Sequence, residues 1–206
     1  MKTLLPLSLA LVLSIAPLAH AADTDTDDNN WVVRFGAHVV APKDDNGRLA
    51  GMKTTISNNV RPTASIEYML TPALGIDALA AIPFRHDIRL DGQRAATTKQ
   101  LPPTFGLNYH FLAGQTISPF VGAGFNYTRF FSTKGEGILQ GAQVHIDNSW
   151  GAAAHAGIDF NLSPQWMITA DVRWIEIRGD VHVNGANVGK AEIDPWVYGV
   201  SAGYRF

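Results

Sequence analysis

The carboxyl-terminal segment, Trp196 to Phe206, alternates between two kinds of residue. Bulky apolar side chains occupy one set of alternate positions, and mostly small or polar side chains occupy the other. Successive side chains of a strand point to opposite faces, so a period of two predicts a strand with one apolar face. Seven more segments repeat the pattern, namely 31–41, 63–70, 74–80, 103–111, 121–131, 150–160 and 166–174. The chain is therefore predicted to be all-β with eight strands.

The connections between these segments alternate in length. Residues 71–73, 112–117 and 162–165 are short, whereas 43–61, 82–101, 132–148 and 179–193 are long and polar. Short turns at one end and long loops at the other are typical of outer-membrane barrels. Closing an even number of antiparallel strands also leaves no edge exposed to lipid. The pattern predicts an eight-stranded antiparallel transmembrane β-barrel.

Alternation does not by itself say which face points outward, because a soluble lipocalin-like barrel would turn its apolar face inward. Volume decides between the two, since an eight-stranded interior is barely wide enough for ordinary side chains. It could not hold the aromatic residues of this face together, whereas the glycine-rich face suits a narrow interior. In an up-and-down order the aromatics also form two girdles, with Trp31 and Phe206 near the short turns and Trp150, Trp174 and Trp196 near the loops. Such girdles mark the two membrane interfaces.

The amino-terminal segment predicts export. Lys2 precedes an apolar run from Leu4 to Leu18 and the sequence Ala19-His20-Ala21, which together have the three regions of a secretory signal peptide. Pro6 and Pro17 and the shortness of the run argue against a membrane anchor. We expect cleavage after Ala21, so that residues 1–21 are the signal peptide and 22–206 are a single outer-membrane barrel domain.

Composition excludes several classes of protein. The chain has no cysteine, which rules out a disulfide scaffold, a thiolate metal site and a cysteine nucleophile. A formal net charge of −2 with scattered basic residues gives no indication of nucleic-acid binding. The histidines show no metal-ligand spacing, and the loop residues Ser57, His86, Ser132 and His145 form no catalytic motif. The sequence therefore predicts neither an enzyme nor a cofactor.

Charges of both signs fall on the inward face of the predicted strands. Arg34, Arg173 and Arg205 face four carboxylates, and unpaired charges in a narrow interior would be costly, so they are expected to pair. Most lie toward the short turns, where they would form a periplasmic plug against water and ions. The residues assigned to the plug are Glu67, Asp77, His110, Asp159, Asp171 and Arg205. A core that only stabilises the barrel would use the same residues equally well.

Toward the loops the inward face becomes more apolar. Leu79, Ala81, Ile175 and Val197 are the predicted channel-lining residues, together with Arg173. An apolar upper lumen above a polar floor would admit a hydrophobic solute and block its straight descent. The solute would then have to leave sideways.

Three prolines mark a candidate lateral opening. Pro83, Pro102 and Pro103 bracket the connection between the third and fourth segments. Proline lacks the N–H that a strand ladder requires, so pairing is expected to be weak there. The alternative is that these prolines simply end two strands.

Five blocks of sequence resemble the OmpW family of small outer-membrane proteins. They are residues 80–86, 100–104, 119–127, 149–153 and 194–206, in the family's order along the chain. The resemblance implies a Gram-negative outer-membrane location, a narrow and partly apolar lumen, and passage of small hydrophobic molecules with lateral exit. It identifies Leu79 with a lumen leucine, whereas Arg173 lies where relatives can have an aromatic residue. A terminal aromatic such as Phe206 is also what barrels of this class present to the barrel-assembly machinery.

Two functions follow as hypotheses. The first is a passive channel that takes small hydrophobic molecules across the outer membrane, with the lipid bilayer and those solutes as its partners. The second is a non-transporting structural or stress protein whose loops serve as attachment points for phage or bacteriocins. Loop substitutions that alter adhesion, with no effect of a lumen block such as Leu79→Arg, would indicate the second.

Overall fold

The computed structural model of the chain describes residues 30–206. The predicted signal peptide, residues 1–21, lies outside the described residues. The strands of the described part are β1 (Trp31–Ala41), β2 (Arg48–Leu49), β3 (Met52–Ile56), β4 (Asn59–Thr71), β5 (Leu74–Ala81), β6 (Phe84–Leu90), β7 (Gln93–Leu101), β8 (Thr104–His110), β9 (Ile117–Gly135), β10 (Val144–Ile146), β11 (Ser149–Asn161), β12 (Trp166–Ile175), β13 (Arg178–Val183), β14 (Ala186–Glu192) and β15 (Trp196–Arg205). One 3-10 turn covers Gly137–Leu139. Within residues 30–206 no helix has the length and apolarity needed to cross a membrane.

Eight of these strands close into an antiparallel barrel. The ring runs β1, β4, β5, β8, β9, β11, β12 and β15, and it closes because β1 pairs with both β4 and β15. The eight predicted strands are thus confirmed, and the first has the predicted bounds. The short connections lie at one end, called here the turn end, and the long ones at the opposite loop end.

The apolar face of the barrel points outward. Phe35 is 54% exposed and Trp150 is 70% exposed, whereas Val32, Glu67 and Asn126 on the opposite face are fully buried. A soluble barrel with an apolar interior is therefore excluded by the side-chain directions. Lipid would cover this outer surface.

The long loops are ordered as strands rather than as irregular polar segments. Strands β10, β13, β14, β2, β3, β6 and β7 pair in that order, and β7 then pairs with the upper part of β9. This arrangement, called here the loop sheet, extends the barrel beyond the membrane. Two of its hairpin turns are formed by the dipeptides Asp91-Gly92 and Asn184-Gly185, and all four residues have positive φ. Aspartate–glycine and asparagine–glycine pairs favour this type of hairpin turn.

An apolar core fills the interior at the loop end. Side chains from the upper barrel and from the loop sheet meet there, and each is buried. The core comprises Val40, Leu49, Phe84, Ile88, Leu90, Ala95, Ala96, Phe130, Ile146, Ala153, Ile175, Ile177, Val181, Ala191, Ile193 and Val197. The interior thus has an apolar upper part and a polar lower part.

The pairing of β8 with β9 depends on close backbone approach at an inward glycine. A Cβ atom at Gly124 would overlap the carbonyl oxygen of Phe105 on β8. We expect Gly124→Val to abolish the compact, heat-modifiable form of the barrel on unheated SDS gels. Ala123→Val, a neighbouring substitution on the lipid face, should leave that form intact, and a folded Gly124→Val barrel would contradict this account.

Candidate functional site

The polar lower interior is organised around two arginines. Arg34 on β1 donates to Glu67 at 2.7 Å and to Asp159 at 3.2 Å. Arg173 on β12 donates to Asp171 at 2.8 Å and lies 3.5 Å from Asp77. All these side chains are buried, so each charge is removed from water and stabilised by its partner.

Histidines and an asparagine extend this polar network across the lumen. The His110 ring lies 3.0 Å from Glu67 and 3.5 Å from Asp159. Asn108 donates to Glu67 at 2.8 Å, and its carbonyl oxygen lies 2.6 Å from Nε2 of His155. These contacts join strands from opposite sides of the barrel.

A further histidine joins the second arginine cluster. His38 lies 2.6 Å from the Thr63 hydroxyl and 3.1 Å from Asp171. Glycines on neighbouring strands make room for these rings. A Cβ at Gly199 would overlap the His38 ring, and one at Gly122 would overlap the ring of His155. Small residues on β9 and β15 therefore let large polar side chains occupy a narrow interior.

One arginine, Arg205, lies elsewhere than the sequence indicates. Arg173, predicted both as a lumen-lining residue and as a charge that needs a partner, is paired in the polar network and lines its cavity beside Leu79. Arg205 was expected in the network, and it lies below it at the turn-end mouth, in a cavity that His110 also lines. Among residues 30–206 no carboxylate lies within 4 Å of Arg205. The structure does bring Glu67, Asp77, His110, Asp159 and Asp171 together.

The network leaves almost no free space. The cavity within it measures about 10 Å³, which is about the minimum that a single water molecule needs. Leu79 lines this cavity beside Asp77 and Arg173, so it lies at the boundary between the polar and apolar parts. No open passage for a solute runs straight through this level in the structure.

The apolar part above it contains the other predicted lining residues. Ile175 and Val197 are buried members of the apolar core, and the half-buried Ala81 packs against it. Residues of the loop sheet line a further cavity of about 180 Å³. Every residue around that cavity is apolar, namely Leu49, Ala50, Met52, Ile88, Leu90, Ala95, Ala96, Leu139, Val144, Val181, Val183 and Val188. Sequence reasoning missed this cavity because it treated the loops as polar, although Phe84, Ile88 and Leu90 fall on one alternate set of positions in 84–90.

The barrel wall has a gap in its ladder at the three prolines. Pairing of β5 with β8 ends at Leu79 and Thr104, and pairing of β6 with β7 begins at Phe84 and Gln100. Residues 80–83 and 101–103 between these points have no strand pairing with each other. This stretch, called here the ladder gap, contains Pro83, Pro102 and Pro103.

Side-chain hydrogen bonds fasten each flank of the ladder gap to its own neighbouring strand. The Asn126 side-chain amide donates to the Pro103 carbonyl oxygen and to the Thr104 hydroxyl, both at 3.0 Å. Arg61 donates to the Pro83 carbonyl oxygen at 3.3 Å. The Asn126 contacts belong to the β8–β9 flank and the Arg61 contact to the β4–β5 flank, so neither spans the gap.

The comparisons with known proteins agree with this architecture. The model of the OmpW family matches residues 28–206. The chain belongs to the OmpW family. Outer membrane protein W of Vibrio cholerae is 33% identical over an alignment of 221 residues that covers 100% of this chain and 99% of the relative. The Escherichia coli protein of the same name is 33% identical over 220 residues, covering 99% and 98%.

Solved structures show the same family fold. The crystal structure of OprG from Pseudomonas aeruginosa has a TM-score of 0.75 at 29% identity, covering 86% of this chain and 95% of OprG. The solution structure of E. coli outer membrane protein W has a TM-score of 0.62 at 32% identity, covering 86% and 97%. This OmpW-family protein is therefore an outer-membrane barrel of a Gram-negative bacterium, embedded in the lipid bilayer of that membrane.

The polar network predicts a large loss of stability when a central carboxylate is removed. Glu67→Ala leaves Arg34 with one ionic partner and removes the acceptor of Asn108 and His110. We expect the free energy of unfolding in lipid vesicles, measured by urea titration, to fall by about 3 kcal/mol. The half-buried Asp180, whose side chain lies 4.0 Å from Lys190, is the control, and Asp180→Asn should cost under about 0.5 kcal/mol. Equal losses for the two variants would contradict a central role for Glu67.

Acid should loosen the loop sheet through His86. Burial lowers the pKa of His86, whose Nδ1 lies 2.6 Å from the Ser57 carbonyl oxygen and whose Nε2 has no partner. Below the ordinary pKa of histidine, the unfolded segment binds a proton that the folded segment does not. The free energy of unfolding therefore decreases as the pH decreases. The protection factors of the amides over 84–101, which are exchange rates corrected for the intrinsic pH dependence of exchange, should decrease between pH 7.5 and 5.5. His86→Asn should remove most of that change, whereas the same substitution at exposed His145 should preserve it.

Proposed function

We propose that this OmpW-family protein is a passive channel for small hydrophobic molecules, which leave it sideways through the ladder gap. One observation carries the proposal. An apolar interior lies directly above a filled polar network and beside the interruption in strand pairing. A solute that enters from the loop end therefore finds an apolar environment, a blocked floor and a weak point in the wall.

The polar network opposes straight descent for two reasons. It has no room for a solute, and making room would separate the buried ion pairs of Arg34 and Arg173. Breaking one buried pair costs about 3–5 kcal/mol. An apolar solute would offer no hydrogen bonds in exchange. The network accordingly acts as the periplasmic plug in this proposal, with Glu67, Asp77, His110, Asp159 and Asp171 as its members.

The ladder gap offers a shorter route. Ala81 links the apolar core to the gap, and Ile82 beside it is 58% exposed on the outer surface. Opening the gap would separate residues 80–83 from 101–103, which have no strand pairing with each other, while β4 and β9 keep their pairing with the flanking strands. A hydrophobic solute would then pass into the lipid core, where its transfer is favourable.

One relative supports an apolar substrate class. A Pseudomonas aeruginosa protein named Dibenzothiophene metabolism operon protein PahQ is 26% identical over 199 residues, covering 90% of this chain and 93% of the relative. Dibenzothiophene is an apolar aromatic compound. The name concerns that relative, and we extend to this chain only the class of small hydrophobic solute.

Phe206 has a separate role in the proposal, as the signal read by the barrel-assembly machinery. Its backbone pairs with Trp31 through hydrogen bonds of 3.0 and 2.9 Å, so it ends the strand that closes the barrel. Its ring is 51% exposed at the turn end, where a partner can reach it.

An uptake assay tests the channel. Proteoliposomes that contain the protein should take up alkane-like and aromatic probes several-fold faster than empty vesicles, with no gain for sugars. Leu79→Arg should remove most of that gain because it places a charge at the boundary of the apolar lumen, and Leu79→Met should preserve it.

The ladder gap has its own test. Pro102→Thr with Pro103→Thr adds two backbone donors that can extend strand pairing, so uptake should fall, whereas Pro72→Thr in a short turn should not change it. A size-limited profile for polar solutes would indicate a general porin. No uptake of any probe would leave the structural or attachment role as the better account.

A further inference from the structure

Three cations lie together on the outer surface of the loop sheet. Arg85 on β6 is directly opposite Lys99 on β7, and Lys99 is opposite Phe131 on β9. Arg129 lies two residues from Phe131 along β9, which makes it the diagonal neighbour of Lys99. Directly opposite side chains have Cβ atoms about 5 Å apart, and diagonal ones are about 7–8 Å apart. Arg85, Lys99 and Arg129 therefore form one patch, called here the basic face.

The basic face has no anionic partner in the described part of the chain. Across residues 30–206, no carboxylate lies within 4 Å of Arg85, Lys99 or Arg129. The carboxylates nearest by register, Asp87 and Glu136, both pair with Arg94, at 3.6 and 2.7 Å. Like charges directly opposite on a sheet destabilise the pair of strands. The arrangement is thus unfavourable by itself and suited to binding an anion.

The height of the basic face matches the headgroup layer of the membrane. Tyr127 precedes Arg129 by two residues on the same face, and its ring packs against Trp150 with centroids 4.6 Å apart. Tryptophan and tyrosine favour the boundary between hydrocarbon and headgroups. Two residues of strand advance about 7 Å, and the headgroup layer is about 5–8 Å thick. Arg129 and Lys99 consequently lie among the lipid headgroups of the outer leaflet.

An apolar column continues below the cations. Phe105 and Phe125 pack with centroids 5.5 Å apart on the lipid face, 43% and 51% exposed. Leu107 and Val121 continue the column toward the turn end. The surface therefore pairs a basic upper part with an apolar lower part along the same strands.

We propose that the basic face binds the phosphate of a phosphorylated lipid of the outer leaflet, whose acyl chains lie along the Phe105–Phe125 column. Arginine guanidinium groups bind phosphate through paired hydrogen bonds, and lysine adds a point charge. The position at headgroup height selects a lipid phosphate over a soluble anion. Bound lipid would relieve the repulsion between Arg85 and Lys99 and hold the loop sheet on the membrane surface, independently of solute passage.

Native mass spectrometry of the full-length protein tests the proposal. Diphosphorylated lipid A is the probe, and enzymatically dephosphorylated lipid A and inorganic phosphate are the comparison ligands. Wild type should bind the phosphorylated lipid at least tenfold more tightly than the dephosphorylated one. The combined variant Arg85→Gln, Lys99→Gln and Arg129→Gln should lose most of that difference.

A matched variant controls for net charge. Arg48, Lys53 and Lys190 are exposed cations elsewhere in the loop sheet, and their combined replacement by Gln removes the same charge. This control should bind within about twofold of wild type. Equal losses in the two variants, equal binding of dephosphorylated lipid, or equal competition by inorganic phosphate would each overturn the proposal.

Thermal unfolding provides a second measurement that does not depend on mass spectrometry. In phosphatidylcholine vesicles the basic-face variant should unfold at the same or a higher temperature than wild type, because like charges have been removed. Adding phosphorylated lipid A should raise the unfolding temperature of wild type and not that of the variant. Hydrophobic uptake in phosphatidylcholine vesicles should be unchanged in the variant, so failure here and failure of the channel are separable.

Discussion

The narrowness of an eight-stranded barrel in lipid is the constraint on which the rest of this structure depends. The strands must close to satisfy their backbone groups, and the closed ring has room for little more than its own side chains. Here the lower interior holds arginines, carboxylates and histidines, and charges in such a place must be paired. Arg34 and Arg173 each take two carboxylates, and the inward glycines Gly122 and Gly199 provide the space for histidine rings.

This pairing divides the lumen. Once the lower part is filled, whatever enters from the loop end meets a polar floor with a cavity of only about 10 Å³. The upper part remains apolar because the loop sheet contributes its own buried side chains, including Ile88 and Val181, to the same core as Ile175 and Val197. The boundary falls at Leu79, directly below the ladder gap. The proposed lateral exit is a consequence of where the charges pair and where the prolines interrupt the wall.

The outer surface shows the same matching of side chains to their surroundings. Aromatic and aliphatic residues cover the part that faces hydrocarbon, and Tyr127 and Trp150 mark its upper limit. Arg85, Lys99 and Arg129 follow above that limit, where phosphates of the outer leaflet would lie. Charged side chains in the interior thus pair with one another, whereas those of the basic face are proposed to bind the phosphate of a lipid.

Alternation along the chain was sufficient to predict the eight barrel strands, their outward apolar face and most of the inward charges, because the side-chain period of a strand is a local property. The resemblance in five blocks indicated the family. Alternation did not predict the loop sheet, although the dipeptides Asp91-Gly92 and Asn184-Gly185 are local sequence signals for hairpin turns. Local patterns therefore contained more of the fold than the eight alternating segments alone.

Which charges meet was decided only by the closed ring. Arg173 pairs with Asp171 on its own strand and approaches Asp77 from across the barrel, while Arg205 remains apart at the turn end. Alternation places a residue on a face, but strand stagger sets its height against the other seven strands. The apolar cavity and the basic face likewise exist only because distant segments are brought into register. The sequence by itself determined the strands and their faces, and the tertiary structure decided the pairing, because register in a closed barrel is a property of the whole ring.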